Sequence, residues 1–134
     1  MKKLIINVIW LTLLVSSCGL AIRETPEEIE KADIQETYRL AVKYYSEGLI
    51  NEAKFLYQKV IEKYSQLQSP GDKDRKTYLW AIYEIGFIEY SQERYDSAIS
   101  YFETLFKEAG TFGDRLPQVV LGKRIYLKIK AKKG

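Results

Sequence analysis

The chain has 134 residues, a formal charge of +3 at neutral pH, no histidine and a single cysteine. That length suits one domain. The absence of histidine excludes histidine-based triads and histidine metal sites, the single cysteine excludes an intrachain disulfide, and a charge this close to neutral argues against nucleic acid as a partner.

Met1-Lys2-Lys3 is a short basic start, and Leu4 to Val15 is an apolar run broken only by Asn7 and Thr12. Twelve helical residues span roughly 18 Å, well short of the ~30 Å hydrocarbon layer. The run therefore reads as the core of a signal peptide over residues 1–17 and not as a membrane span. Val15-Ser16-Ser17-Cys18 resembles a bacterial lipobox, in which small residues open the backbone to a peptidase and the cysteine thiol accepts a diacylglycerol. Cys18 is then the lipid-attachment residue and the first of the 117 residues left after cleavage (134 − 17). The alternatives are an ordinary cleaved signal or an uncleaved anchor with a chance cysteine. Several acyl chains, at ~0.8 kcal/mol per buried CH₂, make a durable anchor. Gly19 stands where an Asp marks inner-membrane retention in proteobacterial lipoproteins, which leans the reading to the outer membrane. Residues 18–25 read as a lipidated tether, and residues 26–134 as a helical domain.

Thr25-Pro26-Glu27-Glu28 carries a cap, a first-turn proline and a capping-box glutamate. From there the periodicity predicts a helix to about Glu47, with Gly48 as its stop. A second helix is expected over about Asn51 to Tyr64, and Gln68-Ser69-Pro70-Gly71-Asp72 is the clearest loop. A third helix follows Asp74 and runs to about Gln92. A fourth covers about Tyr95 to Glu108, Gly110 to Asp114 is a loop, and a fifth runs from Leu116-Pro117 to about Lys130. No segment alternates with period two, so the fold class expected is all-α.

The helices pair and the pairs repeat. Ala41 lies twelve residues before Ala53, as Gly86 does before Ala98, and Tyr57 follows Ala53 by four, as Phe102 follows Ala98. Small residues at matched positions let the two helices of each pair approach closely, and Tyr57 and Phe102 fill the space between pairs. Ala81-Ile82-Tyr83-Glu84-Ile85-Gly86 and Tyr95-Asp96-Ser97-Ala98 resemble tetratricopeptide repeats. The first pair matches more loosely, with Ala41 for the usual glycine, and Ser65 and Gly110 occupy the places of the usual closing proline. Leu121-Gly122, with Tyr126 beyond, looks like the start of a third repeat. The resemblance implies two and a half helix pairs in a short right-handed solenoid. With the lipobox, Val60-Ile61-Glu62-Lys63-Tyr64 and Leu116-Pro117-Gln118-Val119-Val120-Leu121-Gly122 resemble outer-membrane assembly lipoproteins of the BamD type.

Nothing in the chain resembles a catalytic set, a phosphate loop or a metal site, so the expectation is a binding protein, not an enzyme, with no cofactor. In stacked helix pairs the first helix of each pair lines a concave surface. The tetratricopeptide pattern then implies partner-binding positions at Tyr38, Val42 and Tyr45, at Trp80, Tyr83, Phe87 and Tyr90, and at Val119, Lys123 and Tyr126. Two readings stay open: a groove for an apolar or aromatic segment, or rings covered by the turn from Pro26 to Asp33 and so part of the core. Trp80, Tyr83 and Phe87 are the best candidates for an exposed patch, and Tyr57, Ile61, Phe102 and Leu105 are assigned to the core. The last helix shows Val120, Ile125, Leu127 and Ile129 around its circumference, a second candidate docking face. Its basic tail reads as a solubilising helix end or as a contact for anionic lipid.

These readings imply a lipid-anchored scaffold of the outer membrane facing the periplasm, with a β-barrel assembly subunit or another envelope lipoprotein as partner and no nucleic acid. The alternatives are a tetratricopeptide adaptor in another envelope complex and a carrier of an apolar ligand.

Overall fold

The computed structural model describes residues 19–134. The signal-peptide and Cys18 readings lie outside the described residues. Six α-helices follow in chain order: α1 (Pro26–Lys31), α2 (Ile34–Ser46), α3 (Ile50–Gln66), α4 (Asp72–Ser91), α5 (Tyr95–Ala109) and α6 (Pro117–Lys133), with a 3₁₀ turn at Thr111–Gly113 before the last. No strand is present among the described residues, so the chain is all-helical.

The capping box at the first helix is made as its sequence suggests. The Thr25 hydroxyl accepts from the Glu28 N–H, and the Glu28 carboxylate accepts from the Thr25 N–H at 2.7 Å. The helix does not run on to Glu47. It ends at Lys31, because Ala32 and Asp33 are extended and the Asp33 carboxylate accepts from the Glu36 N–H at 2.7 Å to start α2. Aspartate is a poor interior residue and a strong N-cap, so a restart costs less than helical continuity.

The turns inside the two helix pairs are the same object built twice. Gly48 and Leu49 donate to the carbonyls of Tyr45 and Tyr44, and 45 residues later Glu93 and Arg94 donate to those of Tyr90 and Glu89. The left-handed residue is Gly48 in the first turn, at φ +79°, and Glu93 in the second, at φ +61°. Only the first has the residue that this conformation favours.

Helices α2 and α3 pack as one pair and α4 and α5 as another; α4 also packs on α3 and α2, and α6 packs on α5 and α4. Ala41, Ala53, Leu56, Tyr57 and Val60 are fully buried in one core and Ala98, Phe102 and Leu105 in a second. Ile61 is only partly buried and touches both. Helix α4 serves both cores: Ala81, Ile85 and Ile88 face the first, and Leu79, Ile82 and Tyr83 the second. The absent side chain of Gly86 makes room for Phe102, whose Cε1 would lie 2.9 Å from an added Cβ. Gly122 of α6 approaches the same ring, at 3.2 Å by the same measure.

The tether expected before the first helix is docked from Ala21 onwards. The Ala21 N–H donates to Glu52 of α3, the Arg23 N–H donates to the Tyr44 hydroxyl at 2.6 Å, and that hydroxyl donates to Glu24 at 2.6 Å. Ile22 packs against the first core. The buried Tyr44 ring brings its polar tip to this segment, and the segment satisfies it.

Candidate functional site

Tyr38, Val42 and Tyr45 recur at helical spacing, so they share one face of α2. Tyr38 and Tyr45 are half-buried and Val42 is 42% exposed. Of the turn at Pro26 to Asp33, Asp33 borders a concavity with Tyr38. Helix α1 lies by Glu36, Leu40 and Lys43, on the opposite side of α2, around a concavity of about 670 Å³. The strap before it runs by Phe55 and Lys59 of α3.

Helix α4, which carries Trp80, Tyr83, Glu84 and Phe87, packs on α2, and its three rings belong to the second core. Trp80 meets Tyr83 edge to face at 5.5 Å, and Tyr83 stacks near Phe87 at 6.2 Å. Tyr83 was expected in the exposed patch, but it is 9% exposed and reaches Phe102 at 6.3 Å. It is the floor on which half-buried Trp80 and Phe87 stand. Its position nearest the α4–α5 contact outweighs its polar handle.

Helix α6 does not join this face. Val119 is 1% exposed and belongs to the second core. Lys123 pairs with Asp114 at 2.7 Å and lies over Phe106, and Tyr126 meets Phe106 at 5.6 Å and donates to Glu103. Both turn towards α5 and its following loop. Tyr90 leans on Tyr95 at the start of α5. Helix α6 buries Ile125 and Ile129, while Val120 and Leu127 are exposed, Leu127 by 65%. Several of its lysines are occupied, Lys133 by Asp96 and Lys132 by the Tyr95 hydroxyl.

The candidate face thus has two parts: Tyr38, Val42 and Tyr45 on α2, whose rings pack on the first core, and Trp80 and Phe87 on the adjoining α4, which pack on the second. A carboxylate lies beside these rings. Glu84 is half-buried, and burial alone pushes its carboxyl up to about 6. Its charge reaches Tyr38, Tyr45, Tyr57 and Tyr83; burial first, and Glu84 second, raises each phenol. The sequence reading did not single out Glu84. Its signal was local: Trp80, Ala81, Phe87 and Ile88, one turn away on either side, are all apolar, which is no place for a solvated carboxylate.

Glu89 on the same helix is its opposite. It is 2% exposed, accepts two hydrogen bonds from Arg94 at 2.6 and 2.8 Å, and pairs with Lys54 of α3 at 2.5 Å. The Arg94 hydrogen bonds foremost, with Lys54 behind them, hold its carboxyl down to about 2. This cluster ties α3, α4 and the turn before α5 together around a carboxylate whose charge is fully met.

Among the described residues, no group of three or more His, Cys, Asp or Glu side chains could hold a metal ion, and no helix is long and apolar enough to cross a membrane. Comparison with known protein families, with characterised proteins and with solved structures finds no match.

Proposed function

We propose that this chain is a lipid-anchored protein-interaction scaffold of the cell envelope, resembling a shortened BamD-type lipoprotein and serving as an accessory subunit in β-barrel assembly. Its helix pairs are read as two and a half tetratricopeptide-like repeats. The turn duplicated at a 45-residue offset and the contact of first helix with first helix, α2 on α4 and α4 on α6, support that reading.

The observation that carries the functional reading is the partly open aromatic face on α2 and α4. Trp80 and Phe87 retain exposure although neighbouring Ile82, Ile85 and Ile88 are fully buried. Half-exposed aromatics on a rigid helical base suit a docking surface, because they bury large area at small entropic cost. The docked strap fixes how long the proposed anchor's tether is. Only Gly19 and Leu20 separate Cys18 from the first hydrogen bond to α3, a reach of roughly 10 Å at ~3.3 Å per residue. A lipid on Cys18 then holds the helical body against the membrane surface.

The test is a crosslinked pull-down of the full chain from solubilised envelopes, read by mass spectrometry, with Trp80→Ala and Phe87→Ala beside it and Cys18→Ser as the anchor control. A barrel-assembly subunit that is captured, and lost in both face variants, supports the proposal. Its absence removes the assembly role, and a different envelope complex in its place marks an adaptor elsewhere. A Cys18→Ser chain that stays with the membrane fraction removes the lipid anchor.

A further inference from the structure

Two glutamates five residues apart on α4 receive opposite treatment. Glu89 is supplied with Lys54 and Arg94 from within the chain. Glu84 is in no ion pair among the described residues, and the two cations nearest the other end of the helix, Lys54 and Arg94, both go to Glu89. What surrounds Glu84 is aromatic. Tyr38 and Tyr45 stand on α2 and Tyr57 on α3, the two helices of the first pair, both of which α4 packs against, and Tyr83 precedes Glu84 on α4 itself; the charge of Glu84 reaches all four. Trp80 and Phe87 lie one helical turn before and after it.

A half-buried carboxylate without a partner is unfavourable on its own. Ring faces and a carboxylate in one place are what a weakly hydrated cation requires, since the rings attract it by their quadrupoles and the carboxylate supplies the opposite charge. We propose that the α2/α4 face receives an arginine of the partner protein, seated against Glu84 between Trp80 and Phe87, with apolar neighbours of that arginine resting on Val42 of the adjoining α2. Arginine fits better than lysine because its planar guanidinium stacks on rings while its edge pairs with a carboxylate. This rests on the reading of the face as a docking surface and adds the chemistry of what docks. The cation that Glu84 lacks comes from the partner, so a partner without one leaves the charge buried and unpaired, a source of specificity.

The test uses two fluorescein-labelled peptides, Gly-Phe-Arg-Phe-Gly and the same peptide with citrulline for arginine, which keeps the shape and removes the charge. Binding to the full chain is read by fluorescence polarisation. The arginine peptide is expected to bind about tenfold more tightly than the citrulline one. Glu84→Gln is expected to abolish that ratio while leaving citrulline-peptide binding unchanged. Equal binding of the two peptides, no binding of either up to about 1 mM, or an unchanged ratio in Glu84→Gln overturns the inference. Trp80→Ala separates this from the reading beneath it. If Trp80→Ala weakens both peptides and Glu84→Gln leaves the ratio intact, the docking face stands and the arginine seat falls. If Trp80→Ala leaves both peptides unaffected, the face itself falls.

Discussion

Replacing Glu84 with glutamine should make the protein more stable at neutral pH. Its carboxyl ionises at about 6 in the folded chain against 4.5 for the free group, because burial disfavours the charged form. That difference corresponds to about 2 kcal/mol, reduced to roughly 1–2 kcal/mol because the group is only half-buried and partly screened by water. The sign follows from the direction. A raised folded-state value stabilises the fold below the unfolded value, and this contribution is lost as pH rises through about 6. Glutamine keeps the shape and never charges. Urea unfolding followed by far-ultraviolet circular dichroism should therefore give Glu84→Gln a midpoint about 1 M above the parent at about pH 8, taking a slope of ~1–2 kcal/mol/M. The two midpoints should converge at about pH 4, where both side chains are neutral. A midpoint difference that does not change with pH, or a variant less stable than the parent at high pH, refutes the reasoning. A residue that lowers stability in the free protein and is still present is the pattern expected of a binding group.

The same helix offers the opposite case. Glu89→Gln leaves Lys54 and Arg94 without their carboxylate and should cost about 2–3 kcal/mol at neutral pH. Because Glu89 is held down to about 2, its contribution is present above the ordinary 4.5 and lost as pH falls towards 2, so urea midpoints of parent and variant should converge in acid. Glu93→Gly should raise the melting temperature by about 3 °C in calorimetry, since glycine relieves the left-handed backbone at roughly 0.5–1 kcal/mol. Gly86→Ala forces a methyl against the Phe102 ring. The strain of ~1–3 kcal/mol exceeds the ~1 kcal/mol gained in helix propensity, so denaturant unfolding should show a net loss of about 1 kcal/mol.

The pairing of helices was legible because it rests on small residues at fixed spacing. Ala41, Ala53, Gly86 and Ala98 are each demanded by close backbone approach, and each marks a contact that a larger residue would break. The core positions Tyr57, Phe102 and Leu105 followed from the same register, since they are all but fully buried. The break at Ala32-Asp33 was missed because apolar periodicity continues across it, while the deciding feature is one carboxylate that caps better than it propagates. The burial of Tyr83, the turn of Tyr126 towards Phe106 and the docking of Ala21 to Glu24 depend on which neighbour lies across the chain, and no local pattern encodes that. Glu84 is not singled out by its sequence pattern at first sight because charged residues on helices are commonly solvated; only its apolar neighbours one turn away on each side distinguish it from a solvated glutamate such as Glu62.

The central claim, that the α2/α4 face docks a protein partner in the envelope, is tested most directly by photocrosslinking from Val42 in living cells. A photoreactive residue at Val42, 42% exposed at the edge of the aromatic face, is compared with one at exposed Gln58 of α3. Adducts with a β-barrel assembly subunit from Val42 and none from Gln58 are the expected result. No adduct from Val42, or the same adducts from both positions, contradicts the claim.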